Sequence, residues 1–232
     1  DHENAFLSNE TLQWAEKMLN DAQEQGLHVL CAGHYNILTE GSRQQGTGFY
    51  VENGERFAEL LKANSVPLYL SGHMHLREVY SEDNLTELLT EYLLAYPTGY
   101  NMLDVTEEQI RCLPRRVDVD AWAAEQGEND PVLLHYAAWQ EEQLRSYSHS
   151  NVAYMAERNP LNRKQAKQAE DFFYAVMTAY WDGSLSARRT ELEAMPGYDP
   201  FFRCAEGYAY GWWLKAVIET AVPELAGFTL AW

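Results

Sequence analysis

Apolar positions along the chain follow two rhythms, and the change between them divides the sequence. In the first half, short apolar runs stop at glycine. His28-Val29-Leu30-Cys31-Ala32 ends at Gly33-His34, and Pro67-Leu68-Tyr69-Leu70 ends at Ser71-Gly72-His73. Runs of this length closed by glycine predict buried strands. Before and between them apolar residues recur every three or four positions. Ser8 is placed to cap a helix whose face is Leu12, Ala15, Met18, Leu19 and Ala22 and whose stop is Gly26, and Phe57, Leu60 and Leu61 predict a short helix over 55–64. Two strands joined through a helix run parallel, so their carboxyl ends share one sheet edge, where open α/β sheets place ligands.

After His75 the pattern alternates over 77–80, 88–94, 100–105 and 109–113, with Pro, Gly and polar turns between, which predicts an antiparallel meander completing the sheet. From about Asp118 the rhythm is helical. Long stretches cover 131–159 and 163–181, a short one 186–194 and a last one 203–222. Ala169, Phe172, Phe173, Val176, Met177 and Tyr180 form one stripe, and the aromatic stripe that includes Tyr208, Trp212 and Trp213 reads as bundle core. The expected organisation is therefore an α/β (α+β) unit over 1–117 followed by an α-helical bundle over 118–232.

Charge narrows the choice of partner. With 35 acidic against 17 basic residues, the formal charge of −18 excludes a nucleic-acid duplex or an anionic membrane surface as the main partner. An acidic protein that handles a phosphate ester needs a local positive centre, and bound divalent cations supply one. Cys31, Cys112 and Cys204 are too few and too scattered for a disulfide framework or a zinc ribbon and read as small buried apolar residues. Nothing in the sequence reads as a transmembrane stretch.

The candidate chemistry lies where the two strands end. If the backbone stays extended, His73 and His75 project to one side and Met74 to the other, and Gly72 lets a ligand approach the backbone. His34 arrives at the same edge from the neighbouring strand, so three imidazoles converge, with Tyr35 and Asn36 beside them as candidates for substrate contact. The Gly-rich segment 39–54, with Arg43, Phe49 and Tyr50, reads as a solvated loop flanking the site.

Gly33-His34-Tyr35-Asn36 and Gly72-His73-Met74-His75 resemble the last two signature blocks of the calcineurin-like metallophosphoesterases, in order, spacing and flanking strands. The resemblance implies hydrolysis of phosphate mono- or diesters at a dinuclear site of Mn, Fe, Zn or Ni. It places His34 and His73 on one metal and His75 on its neighbour. Many members carry a second histidine where this chain has Tyr35. The fold implied is the C-terminal part of a four-layer αββα sandwich. The family's earlier blocks, D-x-H, G-D and G-N-H-E, are absent, and Asp1-His2-Glu3 stands too close to the first helix to match the last of them. An upstream segment is therefore expected to complete the site, and this chain alone to be inactive. A metallophosphoesterase domain followed by a helical bundle is similar to a group of bacterial proteins that includes cyclic-nucleotide phosphodiesterases, which implies a nucleotide substrate and, from the relatives' habits, export. Two other readings stand beside this one: a catalytically inactive fragment serving as a helical interaction domain, and a mononuclear zinc hydrolase.

Overall fold

The structure, a computed structural model, describes residues 5–38, 50–219 and 227–232. Asp1-His2-Glu3, Arg43, Phe49 and positions 220–222 of the expected last helix lie outside these residues. The chain separates into two compact units, one of Asp1–Glu91, Asn101–Pro114 and Leu225–Trp232, the other of Tyr92–Tyr100 and Arg115–Glu224. Against the expected division at 117/118, each unit borrows a short segment from the far side: 92–100 joins the helical unit and 225–232 the sheet unit.

In the sheet unit, α1 (Asn9–Glu24) starts where Ser8 Oγ accepts the Thr11 N–H at 3.1 Å and buries Leu12, Ala15 and Leu19. Then come β1 (Cys31–Ala32), α2 (Gly54–Ala63), β2 (Leu68–Ser71), β3 (Glu78–Glu82) and β4 (Leu85–Leu89), in the sheet order β1-β2-β4-β3. β1 is shorter than its apolar run because the run starts outside the ladder, where His28 stacks on Trp232 at 4.3 Å. β1, β2 and β4 are mutually parallel, with Cys31 opposite Tyr69 and Tyr69 opposite Glu87.

The segments after His75 do not continue as one meander. β3 and β4 form an antiparallel hairpin through a turn in which Asp83 has φ 53°, and β4 then inserts parallel to β2. The expected strand at 88–94 is displaced to Leu85–Leu89, because Leu85, Leu88 and Leu89 are fully buried whereas Tyr92, Leu93 and Leu94 are exposed. β5 (Gly99–Val105) and β6 (Gln109–Arg116) belong to a second sheet, completed by β7 (Phe228–Ala231), which runs antiparallel to β6.

Alternate residues of β2 face opposite layers. Tyr69 packs with Leu19, Ala58 and Leu61 from the two helices, while Leu68 packs with Leu88, Ile110 and Cys112. The first sheet is thus covered by helices on one face and by the second sheet on the other. Burial on both faces explains why β2 reads as a continuous apolar run and why all five residues of β4, Thr86 and Glu87 included, are buried. Among the described residues the arrangement has three layers, helix, sheet and sheet.

The helical unit holds α3 (Val119–Gln126), α4 (Pro131–Leu134), α5 (Tyr136–Ala156), α6 (Arg163–Trp181), α7 (Leu185–Glu193), α8 (Tyr198–Cys204) and α9 (Ala209–Glu219). α6 has the expected bounds, fixed at its start by a reciprocal cap between Asn162 and Gln165. The expected 131–159 helix is interrupted at His135 (φ −137°), and the expected last helix is broken at Gly207, whose φ of 79° no helix contains. Phe172, Phe173 and Phe201 form the centre, Phe173 and Phe201 stacked at 5.3 Å. Trp212, expected in this core, is 55% exposed.

Gly197 sets how closely α6 and α8 approach. A Cβ there would fall 1.9 Å from the Gln168 carbonyl oxygen and 2.7 Å from Phe172 Cβ. Gly197→Ala is expected to lower the stability of the chain by about 1–3 kcal/mol, the usual cost of overpacking. Urea unfolding of the two proteins checks it, and equal midpoints would mean that the helices part freely.

Candidate functional site

The parallel ladder continues one rung beyond each strand and interlocks the two Gly-His segments. Gly33 N–H donates to Leu70 O at 2.9 Å, and Gly72 N–H donates to His34 O at 3.1 Å. The two glycines serve different ends. A Cβ on Gly33 would lie 2.1 Å from the hydroxyl of Tyr69, a buried side chain whose O–H donates to Tyr35 O at 2.9 Å. Gly33 is therefore demanded by packing. At Gly72 a Cβ would meet nothing nearer than His34, with Nδ1 and O both 4.0 Å away, so that glycine keeps the space beside an imidazole open.

His73 and His75 are not on extended backbone. Both occupy the left-handed region, with φ 58° and 56°, in a bend where Met74 N–H reaches back to Gly72 O at 2.6 Å. Left-handed backbone costs a side-chain-bearing residue about 1–2 kcal/mol, and such strain gathers at functional sites. The bend buries Met74 and turns His73 toward His34. The rings of His34 and His73 lie 5.0 Å apart at 80°, with His34 Nε2 and His73 Nδ1 separated by 3.0 Å, so that one nitrogen donates and the other accepts. The Tyr35 ring covers His73 at 4.3 Å and meets His34 edge-on. His75, on the same bend, is exposed. Partial burial, and after it the charges of His34 and His75, hold the His73 pKa below its ordinary value. Burial and His34 do the same to His75. Both imidazoles are thus biased toward the neutral form that a metal needs.

Two imidazole nitrogens bound to one tetrahedral divalent ion at about 2.0–2.1 Å stand about 3.3 Å apart. The His34–His73 pair is close to that spacing and fits a borderline metal of the zinc, iron or nickel kind in chemistry and distance. Among the described residues, however, no group of three or more His, Cys, Asp or Glu side chains is arranged to hold a metal ion. The structure brings two of the three expected ligands together and leaves His75 beside them.

Asn36, expected to contact substrate, is 0% exposed. Its amide nitrogen donates to Ser71 Oγ at 2.8 Å and to Glu87 Oε1 at 2.9 Å, and its Oδ1 has no partner among the described residues. Glu87, equally buried in the middle of β4, also accepts Ser71 O–H at 2.6 Å, Leu38 N–H at 2.7 Å and Ile37 N–H at 3.2 Å. Burial pushes the Glu87 pKa above the usual carboxylate range, and these donors oppose the shift. Sequence reasoning passed over Glu87, although its signal was present: a lone charge inside the run Leu85-Thr86-Glu87-Leu88-Leu89 has no solvent face to occupy.

With this geometry in place, comparison with known families adds one fact. Residues 118–221 match the family model described as the C-terminal domain of cyclic nucleotide phosphodiesterase. The match covers the helical stretch and does not include His34, His73 or His75. No curated protein matches the chain. Among the described residues, no helix is long and apolar enough to cross a membrane.

The lowered pKa values fix the sign of a pH effect. Below the ordinary histidine pKa of about 6.5 the unfolded chain takes up protons that folded His73 and His75 refuse, so their contribution to stability is present above that pH. It is lost as the pH falls through this value toward the lower folded ones. Going from pH 7.5 to pH 5.5, the metal-free chain should therefore lose melting temperature relative to the double variant His73→Gln/His75→Gln. Glu87 has the opposite sign but is common to both proteins, so it cancels in the comparison. Parallel curves would refute the assignment.

Proposed function

We propose that this chain is part of a metal-dependent phosphodiesterase that hydrolyses phosphate esters, cyclic nucleotides among them, and that the strand-end histidines form part of its metal site. The observation that carries the reading is the His34–His73 pair, two imidazole nitrogens 3.0 Å apart at the carboxyl ends of adjacent parallel strands. The match of the helical stretch to a cyclic nucleotide phosphodiesterase domain supports the substrate class.

In this reading His34 and His73 hold one divalent cation and His75 contributes to a second, the metals being Mn, Fe, Zn or Ni. Bound there, such ions supply Lewis acidity to the phosphoryl group and activate water near neutral pH. The chain's own residues do the rest. His34 and His73 offer neutral lone pairs, Tyr35 screens His73 on one face and is assigned to substrate contact, and Asn36 orders the segment behind His34. Three imidazoles carry no charge to balance two dications, so carboxylate ligands are assigned to an upstream segment, to which the resemblance also assigns the fourth layer of an αββα sandwich.

Metal analysis after loading with Mn or Zn tests the ligands. His34→Ala and His73→Ala should each weaken metal binding by more than the roughly 10- to 100-fold that changes beyond the ligands cost. On bis-p-nitrophenyl phosphate and cyclic nucleotides with Mn, the chain alone should turn over at background and gain activity when the upstream segment is added. Unchanged metal content in both variants would overturn the reading, as would full turnover without the added segment.

A further inference from the structure

We propose that Glu87 is the positioning residue of the histidine pair, holding His34 and His73 at bonding distance by gripping both arms that carry them. The inference rests on the reading of these histidines as metal ligands, but its geometry stands in the metal-free chain.

A carboxylate in a strand covered on both faces is costly to bury, and an apolar residue would fill the same volume without that cost. What Glu87 does that an apolar residue cannot is accept four donors. None of the four comes from its own strand or from a helix. Asn36 Nδ2, Ile37 N–H and Leu38 N–H belong to the segment after His34; Ser71 O–H belongs to the end of β2 before His73. The grip is symmetrical in the chain: Asn36 lies two residues after His34, and Ser71 two residues before His73. A further bond, Asn36 Nδ2 to Ser71 Oγ at 2.8 Å, closes the triangle, so the two arms are joined both directly and through the carboxylate. Because the carboxylate takes only donors, it also turns the Asn36 amide nitrogen inward and leaves Oδ1 without a partner among the described residues. Remove the carboxylate and two backbone N–H groups and the Ser71 hydroxyl are buried without their acceptor, while the Asn36 amide loses one of its two, which loosens the arm that follows His34. The bonds of Gly33 to Leu70 and of Gly72 to His34 set the direction of the arms, and Glu87 sets their separation.

The test uses the full chain with Glu87→Gln, which keeps the size but replaces one acceptor oxygen with a donor. Leu88→Ala is the control, the next residue of the same strand, whose fully buried side chain packs in the opposite layer with Leu68, Ile110 and Cys112 and makes none of the network's hydrogen bonds. Both should lower the melting temperature. In metal-free protein, the ¹⁵N imidazole signals that report the His34 Nε2–His73 Nδ1 hydrogen bond should be lost in Glu87→Gln and kept in Leu88→Ala. Titration with Co(II) should show affinity weakened roughly 10- to 100-fold by Glu87→Gln and within twofold of wild type for Leu88→Ala. If Glu87→Gln does not fold, Ser71→Ala removes one corner of the triangle and carries the same two measurements. Retention of the imidazole signature and of Co(II) affinity in the network variant would overturn the proposal, and so would an equal loss in Leu88→Ala. If wild-type chain binds no Co(II), the metal reading fails while the imidazole signals still decide the role of Glu87.

Discussion

The site depends on keeping two parallel strand ends level. β1 and β2 share a register in which Cys31 faces Tyr69, and this register alone brings Gly33-His34 and Gly72-His73 to the same height. A slip of one residue would turn every side chain of β1 to the other face and carry His34 away from His73. β1 has only two residues in the ladder, too few to hold such a register unaided. The rungs beyond the strands, the Tyr69 hydroxyl on Tyr35 O and the buried carboxylate of β4 all act on this point. The central strand therefore does more than fill the sheet: β4 reaches past β2 to fasten the segment that leaves β1.

The two units meet their packing problems differently. In the sheet unit the core is aliphatic and divided by the sheet, with helices on one side and the second sheet on the other. In the helical unit, rings do the work of aliphatic layers, and Phe172, Phe173 and Phe201 bury wide flat surfaces that small residues such as Gly197 and Ala169 bring into contact. Aromatic wealth in the composition thus has a local cause. It also explains why periodicity located α6 so well: a stripe of rings leaves a strong signal at helical spacing.

What the sequence disclosed was whatever depends on local pattern. The cap at Ser8, the bounds of α6, the strand ends at Gly33 and Gly72, and the approach of His34 to His73 follow from short-range chemistry and the parallel crossover. Missed features depend on partners distant in the chain. β7 is four residues whose alternation has meaning only beside β6, about 120 positions earlier, and β4 looked like a meander strand because nothing in Leu85–Leu89 says that its second neighbour is β2. The bend at His73 and His75 escaped for another reason. A left-handed backbone is announced by glycine, and here two histidines adopt it, so the pattern H-x-H suggested an extended segment that the chain does not form.

Gly33 carries one more implication. Its hydrogen is where the Tyr69 hydroxyl passes, so the glycine of this Gly-His pair answers to a tyrosine on the next strand and not to any ligand. Position 33 is consequently tied to position 69: a descendant that exchanges Tyr69 for a residue without the hydroxyl releases position 33 to accept a side chain, and one that keeps the tyrosine does not. A search that treats this glycine as a mark of chemistry would overlook descendants in which both have changed while the histidine beside them stays in place.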